Sequence, residues 1–458
     1  MAGLTLAAGG WIANLIVYLI QEFNIKSISA AKIYNVVNGS ITMFPIIGAI
    51  VADSFVGCFS VIWFSSLISL LGTLLLVLTA AISHLRPPSC EDGSNACRYP
   101  SHLQFAVLYL GLALASLGNA GTRFTIAPMG ADQFNNPKSQ GIFFNWYIFT
   151  MYTATVISST AIVYVEDNVG WAWGFGLCAV ANVLGLAVFL SGSRSTALLS
   201  QKGARLGDWL TFLNRAALRS TEEDTNQDGS ITNPWKQCTV QQVEDLKSLI
   251  KIFPLWSTGL FLCTPLAIQL SLATLQALNM DRRLGPRFHI PAGSMSVFIL
   301  ISTSFSIFLI DRLLFPLWEK LTRRLPKLLQ RIGIGHALTI ISMAVSAVVE
   351  SKRLKIARSD DLQNETNAVV PMSALWLVPQ LAIAGIGEAF HFPGQVALYY
   401  QEFPESLKST STAAVAMFIG IAFYISNAII DLIRRATGWL PDDINKGGWI
   451  MCTGFVAS

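Results

Sequence analysis

Two ionisable residues stand three positions apart inside an apolar stretch of the sequence. The segment GIGEAFHFPGQ, residues 385–395, places Glu388 and His391 in a run from Pro371 to Tyr400 in which every other residue is uncharged. Residues three apart share one face of a helix. A carboxylate can hold a proton or a cation, and an imidazole can relay a proton. The pair therefore predicts a proton-handling site, with a hydrogen bond from His391 to a neighbouring helix as the alternative.

A third ionisable residue, Arg123, lies in another apolar run. Such a group costs roughly 2.5–3.5 kcal/mol at the centre of a membrane-spanning helix, so it is expected to have a partner or a water-filled cavity. Arg123 and Glu388 lie about 20 and 17 residues into two runs of the same direction, which leaves a depth difference of about 5 Å. We expect an ion bridge between them, either a gate that an anion or a proton opens or a permanent packing contact.

The composition is that of a membrane protein. Of 458 residues, 53% are hydrophobic and only 13% are charged, against roughly 25% charged residues in soluble domains. Apolar runs long enough to cross a bilayer as helices recur along the chain. The eleven predicted spans are 4–20, 36–58, 59–83, 103–129, 141–164, 170–192, 250–278, 293–318, 332–350, 371–400 and 411–433, with a twelfth only begun at 447–458.

One long polar connection divides these spans into two groups. Residues 193–247 carry seven Lys and Arg residues and follow the sixth span, so we expect helical bundles at 1–192 and 248–458 joined by this linker. The connection 319–331 carries five Lys and Arg residues in thirteen positions. The positive-inside rule places both connections in the cytoplasm, although residues 351–370, expected as an outer loop, also contain basic residues.

The predicted outer loops contain two candidate modification sites. Cys90 and Cys97 lie in one of them, either as a short disulfide or as two separate thiols. Asn364 begins an N-glycosylation sequon in another. The net charge of +4 gives no indication of a nucleic-acid partner. We found no catalytic motif and no clustered metal ligands, so neither an enzyme nor a cofactor is expected.

Seven segments together resemble a known family. They are GAIVADSFVG (48–57), GADQF (130–134), FFNWY (143–147), TVQQVEDLKSLIKIFPLW (239–256), LQALNMDRRLGPRFHIPAGS (275–294), LQRIGIG (329–335) and GEAFHFPGQ (387–395). They resemble the plant nitrate/peptide transporter family, the proton-coupled oligopeptide branch of the major facilitator superfamily. The resemblance implies an all-α polytopic fold of two six-helix bundles that moves a small solute by alternating access.

The resemblance assigns roles to four residues. Arg123 stands where the family usually has a lysine on the fourth helix, and Glu388 is the family's glutamate in the G-E-A-F motif. Relatives join these positions by a salt bridge between the halves. Asp53 and Gly57 match the superfamily's loop motif after the second helix, which braces one conformation. Cys58 replaces the basic residue common after that glycine, so a weaker brace is expected.

Two family features are missing from this sequence. The E-x-x-E-R motif of the first helix has no counterpart, since its positions include Leu4 and Thr5, so obligatory proton-coupled uptake is not expected. The histidine that nitrate-uptake relatives use on the seventh helix aligns with Leu266. The bound anion would then rest mainly on Arg123. Further candidate cavity liners, each with a helix-packing hydrogen bond as the alternative, are Asn14, Tyr18, Asn145, Tyr147 and Gln276.

Within the family, segments 10–27 and 388–406 are most similar to the nitrate excretion transporters. The leading hypothesis is therefore export of nitrate, or of a related anion such as chloride, across the plasma membrane, with or without protons. Because the sequence leaves the family pattern after Lys446, a truncated twelfth helix is expected. The alternative hypothesis is a transport-inactive homologue that assembles with, or regulates, a full-length carrier.

Overall fold

The fold is described from a computed structural model of the 458-residue chain. The structure describes residues 1–45, 57–88, 99–123, 125–131, 133–134, 137–192, 240–286, 288–324, 326–362, 368–402, 408–437, 440–441 and 444–446. Asp53, Cys90, Cys97, Asn364, the linker 193–239 and residues 447–458 lie outside these ranges, so the expectations placed on them stay predictions.

Within the described ranges, the N-terminal bundle contains nine α-helical pieces, which form six successive segments. The pieces are α1 Ala2–Ala13, α2 Leu15–Gln21, α3 Ser27–Met43, α4 Gly57–Ala81, α5 His102–Arg123, α6 Ile126–Ala131, α7 Pro137–Ile157, α8 Val163–Asn168 and α9 Trp171–Ser191. Helices α1 and α2 form one segment with a bend of 43° at Asn14. A π-helical turn, Ser158–Ile162, joins α7 to α8 within the fifth segment.

The C-terminal bundle has five successive segments in the described part of the chain. Its helices are α10 Val240–Leu278, α11 Val297–Leu309, α12 Phe315–Thr322, α13 Leu328–Ser359, α14 Val378–Glu402 and α15 Lys408–Ala436. A second π-helical turn, Ile310–Leu314, joins α11 to α12. Two short strands, β1 Met280–Asp281 and β2 Val370–Ser373, pair in parallel beyond the ends of α10 and α13.

These helices match the length and composition of membrane spans. Within the described ranges, eight helical segments are long and apolar enough to cross a bilayer, and the bent pair α1–α2 makes a ninth. The all-α polytopic fold expected from the sequence is confirmed. The linker connects the end of α9 to the start of α10, and successive segments run in opposite directions. We call the side of the molecule where the linker attaches the linker face, and the side formed by the other ends of the segments the opposite face.

Two span boundaries differ from the sequence prediction because buried polar groups hide the helix from a hydropathy argument. The second span begins at Ser27, not at 36, since Lys32 and Asn35 are held by α15 rather than by water. The ninth span continues to Ser359, not to 350, and Arg353 lies inside it. The expected outer loop 351–370 is therefore helical over its first nine residues.

The seventh segment also starts earlier than the sequence indicated. Helix α10 begins at Val240, so the end of the expected linker, residues 240–247, is helical. Among the membrane spans of the described ranges, its C-terminal part, Thr258–Leu278, is the most enclosed. In the most apolar stretch of this part, 78% of the residues are buried inside the protein. That burial agrees with a helix at the centre of the molecule, between the two bundles.

Candidate functional site

A cavity of about 310 Å³ lies where the two bundles meet. The N-terminal bundle lines it from α1, α3, α5 and α7, and the C-terminal bundle from α10, α11 and α14. Its walls include the linker-face ends of α1 and α5, so it lies on the linker side of the molecule. Two charged side chains, Arg123 and Glu388, belong to its lining, one from each bundle.

Close packing of α5 on α4 fixes the position of Arg123. A Cβ atom at Gly118 would lie 2.2 Å from the backbone nitrogen of Ser69, and one at Gly121 would lie 2.0 Å from Oγ of Ser65. The two helices can approach this closely only because these positions are glycines. Arg123 is the last residue of α5, and its carbonyl oxygen accepts a hydrogen bond of 2.9 Å from Oη of Tyr147 in α7. Three helices, α4, α5 and α7, therefore fix the backbone position from which the Arg123 side chain extends.

Glu388 is positioned by glycine contacts of the same kind in the C-terminal bundle. A Cβ atom at Gly385 would lie 2.6 Å from the carbonyl oxygen of Ile299, so α14 lies directly against α11. Oγ1 of Thr303 in α11 donates a hydrogen bond of 3.1 Å to Oε2 of Glu388. The carboxylate thus has a neutral partner within its own bundle while it faces the cavity.

The structure brings Arg123 and Glu388 to one cavity but does not close them into a bridge. Among the ion pairs of the described residues, none joins these two side chains. The predicted bridge between the bundles stays a prediction. A pair that faces a shared cavity from opposite bundles is the arrangement that a reversible contact requires, since relative motion of the bundles changes their separation.

His391 faces away from this cavity, into the contact between α13 and α14. Its side chain is fully buried, and its ring lies 5.1 Å from the ring of His336 in an edge-to-face arrangement. Neither ring nitrogen has a hydrogen-bond partner among the described atoms. His391 is not part of the described cavity lining, although it lies one turn from Glu388.

Four of the five further candidate liners occupy packing positions rather than the cavity wall. Oη of Tyr18 lies 2.9 Å from Oγ1 of Thr79, and its ring packs against Phe23, Trp171 and Phe175. Nε2 of Gln276 donates to Oε2 of Glu350 at 2.8 Å. Asn14 is buried at the bend between α1 and α2. Tyr147 supports the end of α5, as described above, and the Asn145 side chain lies outside the described part of the structure.

Sequence reasoning missed several polar residues of the cavity wall. Tyr34 and Asn38 lie four positions apart on α3, and Asn119 lies four positions before Arg123 on α5. Residues four apart in a helix share a face. The four-residue spacing is visible in the sequence. It could have predicted that Asn119 lies on the same helix face as Arg123 and that Tyr34 and Asn38 form a second polar face.

The two bundles are joined on the opposite face by cross-bundle polar contacts. Nζ of Lys32 lies 2.7 Å from Oδ1 of Asp431, near the opposite-face ends of α3 and α15. Nη1 of Arg282, beyond the end of α10, lies 3.7 Å from Oδ2 of Asp167 in α8. The largest cluster of buried apolar residues also includes side chains from both bundles, such as Trp171 and Met280.

These contacts define the conformation and the class of protein. The opposite face is held shut, while the polar cavity lies on the linker side. Two bundles of membrane-spanning helices around a seam cavity of this kind make the chain a membrane transporter with the major facilitator fold.

The comparisons with known proteins agree with that class. The sequence pattern of the POT family matches residues 59–219 and 200–450, and the chain belongs to this family. It is 50% identical to the Arabidopsis thaliana protein NRT1/PTR FAMILY 2.6, over 99% of this chain and 88% of that protein. It is 51% identical to NRT1/PTR FAMILY 2.7 of the same organism, over 100% and 88%. The crystal structure of the POT family transporter PepTSo has a TM-score of 0.76 at 17% identity, with 100% of this chain and 94% of that chain covered.

Proposed function

We propose that this transporter carries nitrate, or a related small anion such as chloride, by alternating access. The observation that supports the proposal is the guanidinium-bearing Arg123 on the wall of a small seam cavity. Arginine binds planar oxyanions through two parallel hydrogen bonds. The planar nitrate ion suits this geometry, while a spherical chloride ion would use the charge alone. Export across the plasma membrane is the direction and location that the resemblance of segments 10–27 and 388–406 favours.

The neutral polar residues of the wall complete the anion site in this proposal. The side-chain amides of Asn38 and Asn119 belong to the lining and can donate hydrogen bonds to an anion. An anion that is bound only by one charge and neutral donors is released easily, which a carrier requires. The resemblance-based view that the anion rests mainly on Arg123 is thus extended by two neutral donors.

Glu388 supplies the second part of the proposed mechanism. Its carboxylate faces the same cavity and would compete with an anion for Arg123. An anion bound to the guanidinium, or a proton on Glu388, would weaken the attraction between the two bundles on the linker side. Either event shifts the equilibrium between the two conformations. The size of the shift is set by the difference between the affinities of the two conformations for the anion or the proton.

The bundles 1–192 and 248–458 are the moving bodies in this cycle, with residues 193–247 as the connection. Opening of the opposite face must break the Lys32–Asp431 and Asp167–Arg282 pairs. Both pairs are partly exposed, and such pairs contribute only about 0–1 kcal/mol each. The two ion pairs of the closed face are therefore weak enough to break in every cycle.

Nitrate flux through liposomes that contain the purified protein tests the proposal. We expect wild-type protein to pass nitrate and Arg123→Gln to abolish the flux, as followed with a nitrate-selective electrode. Arg312→Gln is a matched control because that side chain is 75% exposed in the linker-side half of the eighth segment. Normal flux in Arg123→Gln would remove the arginine from the mechanism. Wild-type protein that is inactive alone but co-purifies with a relative would support the assembly hypothesis instead.

A further inference from the structure

Glu166 is a buried acid that the cavity does not account for. It lies in α8 with 1% of its surface exposed, and neither carboxylate oxygen has a hydrogen-bond partner among the described atoms. No ion pair of the described residues includes it. A Cβ atom at Gly174 would lie 2.1 Å from Cγ of Glu166, so α9 leaves room for this side chain only because position 174 is glycine.

The surroundings of Glu166 favour a neutral carboxylic acid. The Asn14 carboxamide faces it from the bend between α1 and α2, outside hydrogen-bonding geometry, and both polar atoms of Asn14 also lack partners among the described atoms. The titratable groups nearby are Cys178 from α9 and Asp167 on α8 itself, and neither is a cation. Burial of an ionised carboxylate without a cation is costly, so a closed site of this kind favours the protonated form.

One wall of this site, Asn14, also belongs to the contacts that close the opposite face, and the residues beside Glu166 in α8 contribute to the same contacts. Asp167, the next residue, forms the cross-bundle pair with Arg282. Tyr164, two residues earlier, stacks on Phe288 of the C-terminal bundle with ring centroids 5.9 Å apart. Asn14 is itself packed against the C-terminal bundle, since a Cβ atom at Gly293 would lie 2.6 Å from its Oδ1. Separation of the bundles at this face would therefore uncover Asn14 and open the Asn14 side of the Glu166 site to water.

We propose that Glu166 is a proton-binding site of the transport cycle. It holds a proton while the opposite face is closed and releases that proton to water when this face opens. Closure then requires that a proton be bound again from the opposite side, which makes each cycle depend on the pH at that side. This inference rests on the proposed transport function, and it supplies a titratable group in a chain whose first helix carries no acidic residue before Gln21.

Infrared spectroscopy of the reconstituted full-length protein gives a direct test, since a protonated carboxyl group has a C=O stretching band that a carboxylate lacks. We expect Glu166→Gln to lose this band and Asp167→Asn to keep it, because Asp167 is paired with Arg282. A spectrum that is unchanged by Glu166→Gln would overturn the proposal. Should the glutamine variant fail to fold, Glu166→Asp keeps a titratable group and is expected to shift the band.

The pH dependence of nitrate flux separates a working proton site from a permanently protonated packing group. We expect the wild-type flux to depend on the pH at the opposite face, Glu166→Gln to lose that dependence, and Asp281→Asn, a half-exposed acid, to keep it. Flux in Glu166→Gln with the wild-type pH profile would overturn the proposal. Without any wild-type flux the proposed function fails, and the infrared band then decides alone: a band that titrates with pH supports the proton site and an invariant band overturns it.

Discussion

Nη2 of Arg353 lies 2.7 Å from Oε1 of Glu350, and both side chains are fully buried within the C-terminal bundle. Nε of Arg353 donates to Oε2 of the same carboxylate at 2.9 Å, so the pair is bidentate. Gln276 donates to this carboxylate, and Asn445 accepts from Arg353 at 2.6 Å. The pair thus fastens α10 and α13 to the segment that follows α15.

Removal of one charge from this buried pair should destabilise the protein strongly. We expect Glu350→Gln to lower the free energy of unfolding by about 3–5 kcal/mol, because the Arg353 guanidinium stays buried without its counter-charge. Thermal unfolding of the purified protein, followed by tryptophan fluorescence, measures the loss. Arg358→Ala, an exposed arginine on the same helix, is the control and should unfold like wild type. An equal midpoint for both variants would contradict this account of the pair.

The glycine contact between α4 and α5 should tolerate no side chain. We expect Gly118→Ala to cost about 1–3 kcal/mol of stability and to reduce nitrate flux, because the new methyl group meets the backbone of Ser69 and moves the helix that carries Arg123. Gly176→Ala is the matched control, since a Cβ atom there has no neighbour within 4 Å. The midpoint of thermal unfolding and the nitrate flux are measured for both variants. If Gly118→Ala has the same midpoint and flux as wild type, α4 and α5 can move apart without cost.

The hydrogen bond from Tyr147 to the carbonyl oxygen of Arg123 should affect transport more than stability. We expect Tyr147→Phe to lower the maximal nitrate flux by about 2–10-fold, which corresponds to one net hydrogen bond. The end of α5 then loses one of its supports, and the guanidinium samples more positions. Flux measurements on Tyr99→Phe, an exposed tyrosine, provide the baseline. If both variants transport equally well, the Tyr147 contact does not position Arg123.

Loss of the Lys32–Asp431 pair should favour the conformation that is open on the opposite face. The two side chains are 33% and 36% exposed, so the pair contributes at most about 1 kcal/mol. We expect Asp431→Asn to raise the labelling rate of a cysteine placed at Asn38, up to about fivefold, when a membrane-impermeant thiol reagent is added at that face. Asp281→Asn is the control, since its pair with Arg283 lies within one bundle. Equal labelling rates would show that other contacts hold the face shut.

The sequence predicted the fold where helices are apolar and failed where polar groups pair inside the protein. Spans such as α4 and α9 have few polar residues, and their predicted limits lie close to the observed ones. Arg353 was placed in a loop because sequence alone does not show that Glu350, one turn earlier, and Gln276, on another helix, satisfy its charge. A hydropathy argument places every charged residue in water, whereas in the structure Arg353 is buried and paired with Glu350.

The site was predictable in part, for the same reason. Arg123 and Glu388 were identified because an unpaired charge at that depth is costly, and both belong to the cavity lining. Whether a neutral polar residue such as Tyr18 or Asn38 faces a cavity or a neighbouring helix depends on the rotation of its helix about its own axis. For Tyr18, that rotation depends on the bend at Asn14, which has no signature in the sequence that we could read.

The π-helical turn Ser158–Ile162 has a consequence for chain length in the fifth segment. A π turn holds one residue more than an α turn, so deletion of a single residue there should relax the stretch into regular α-helix. Residues beyond it would then keep their orientation, because the extra residue is the one that is removed. Glu166 would stay in its pocket, and Asp167 would keep its register with Arg282. In a regular α-helix the same deletion would rotate every later residue by about 100°, the angle between successive residues, so this turn is the place where the segment can change its length by one residue and keep its later contacts.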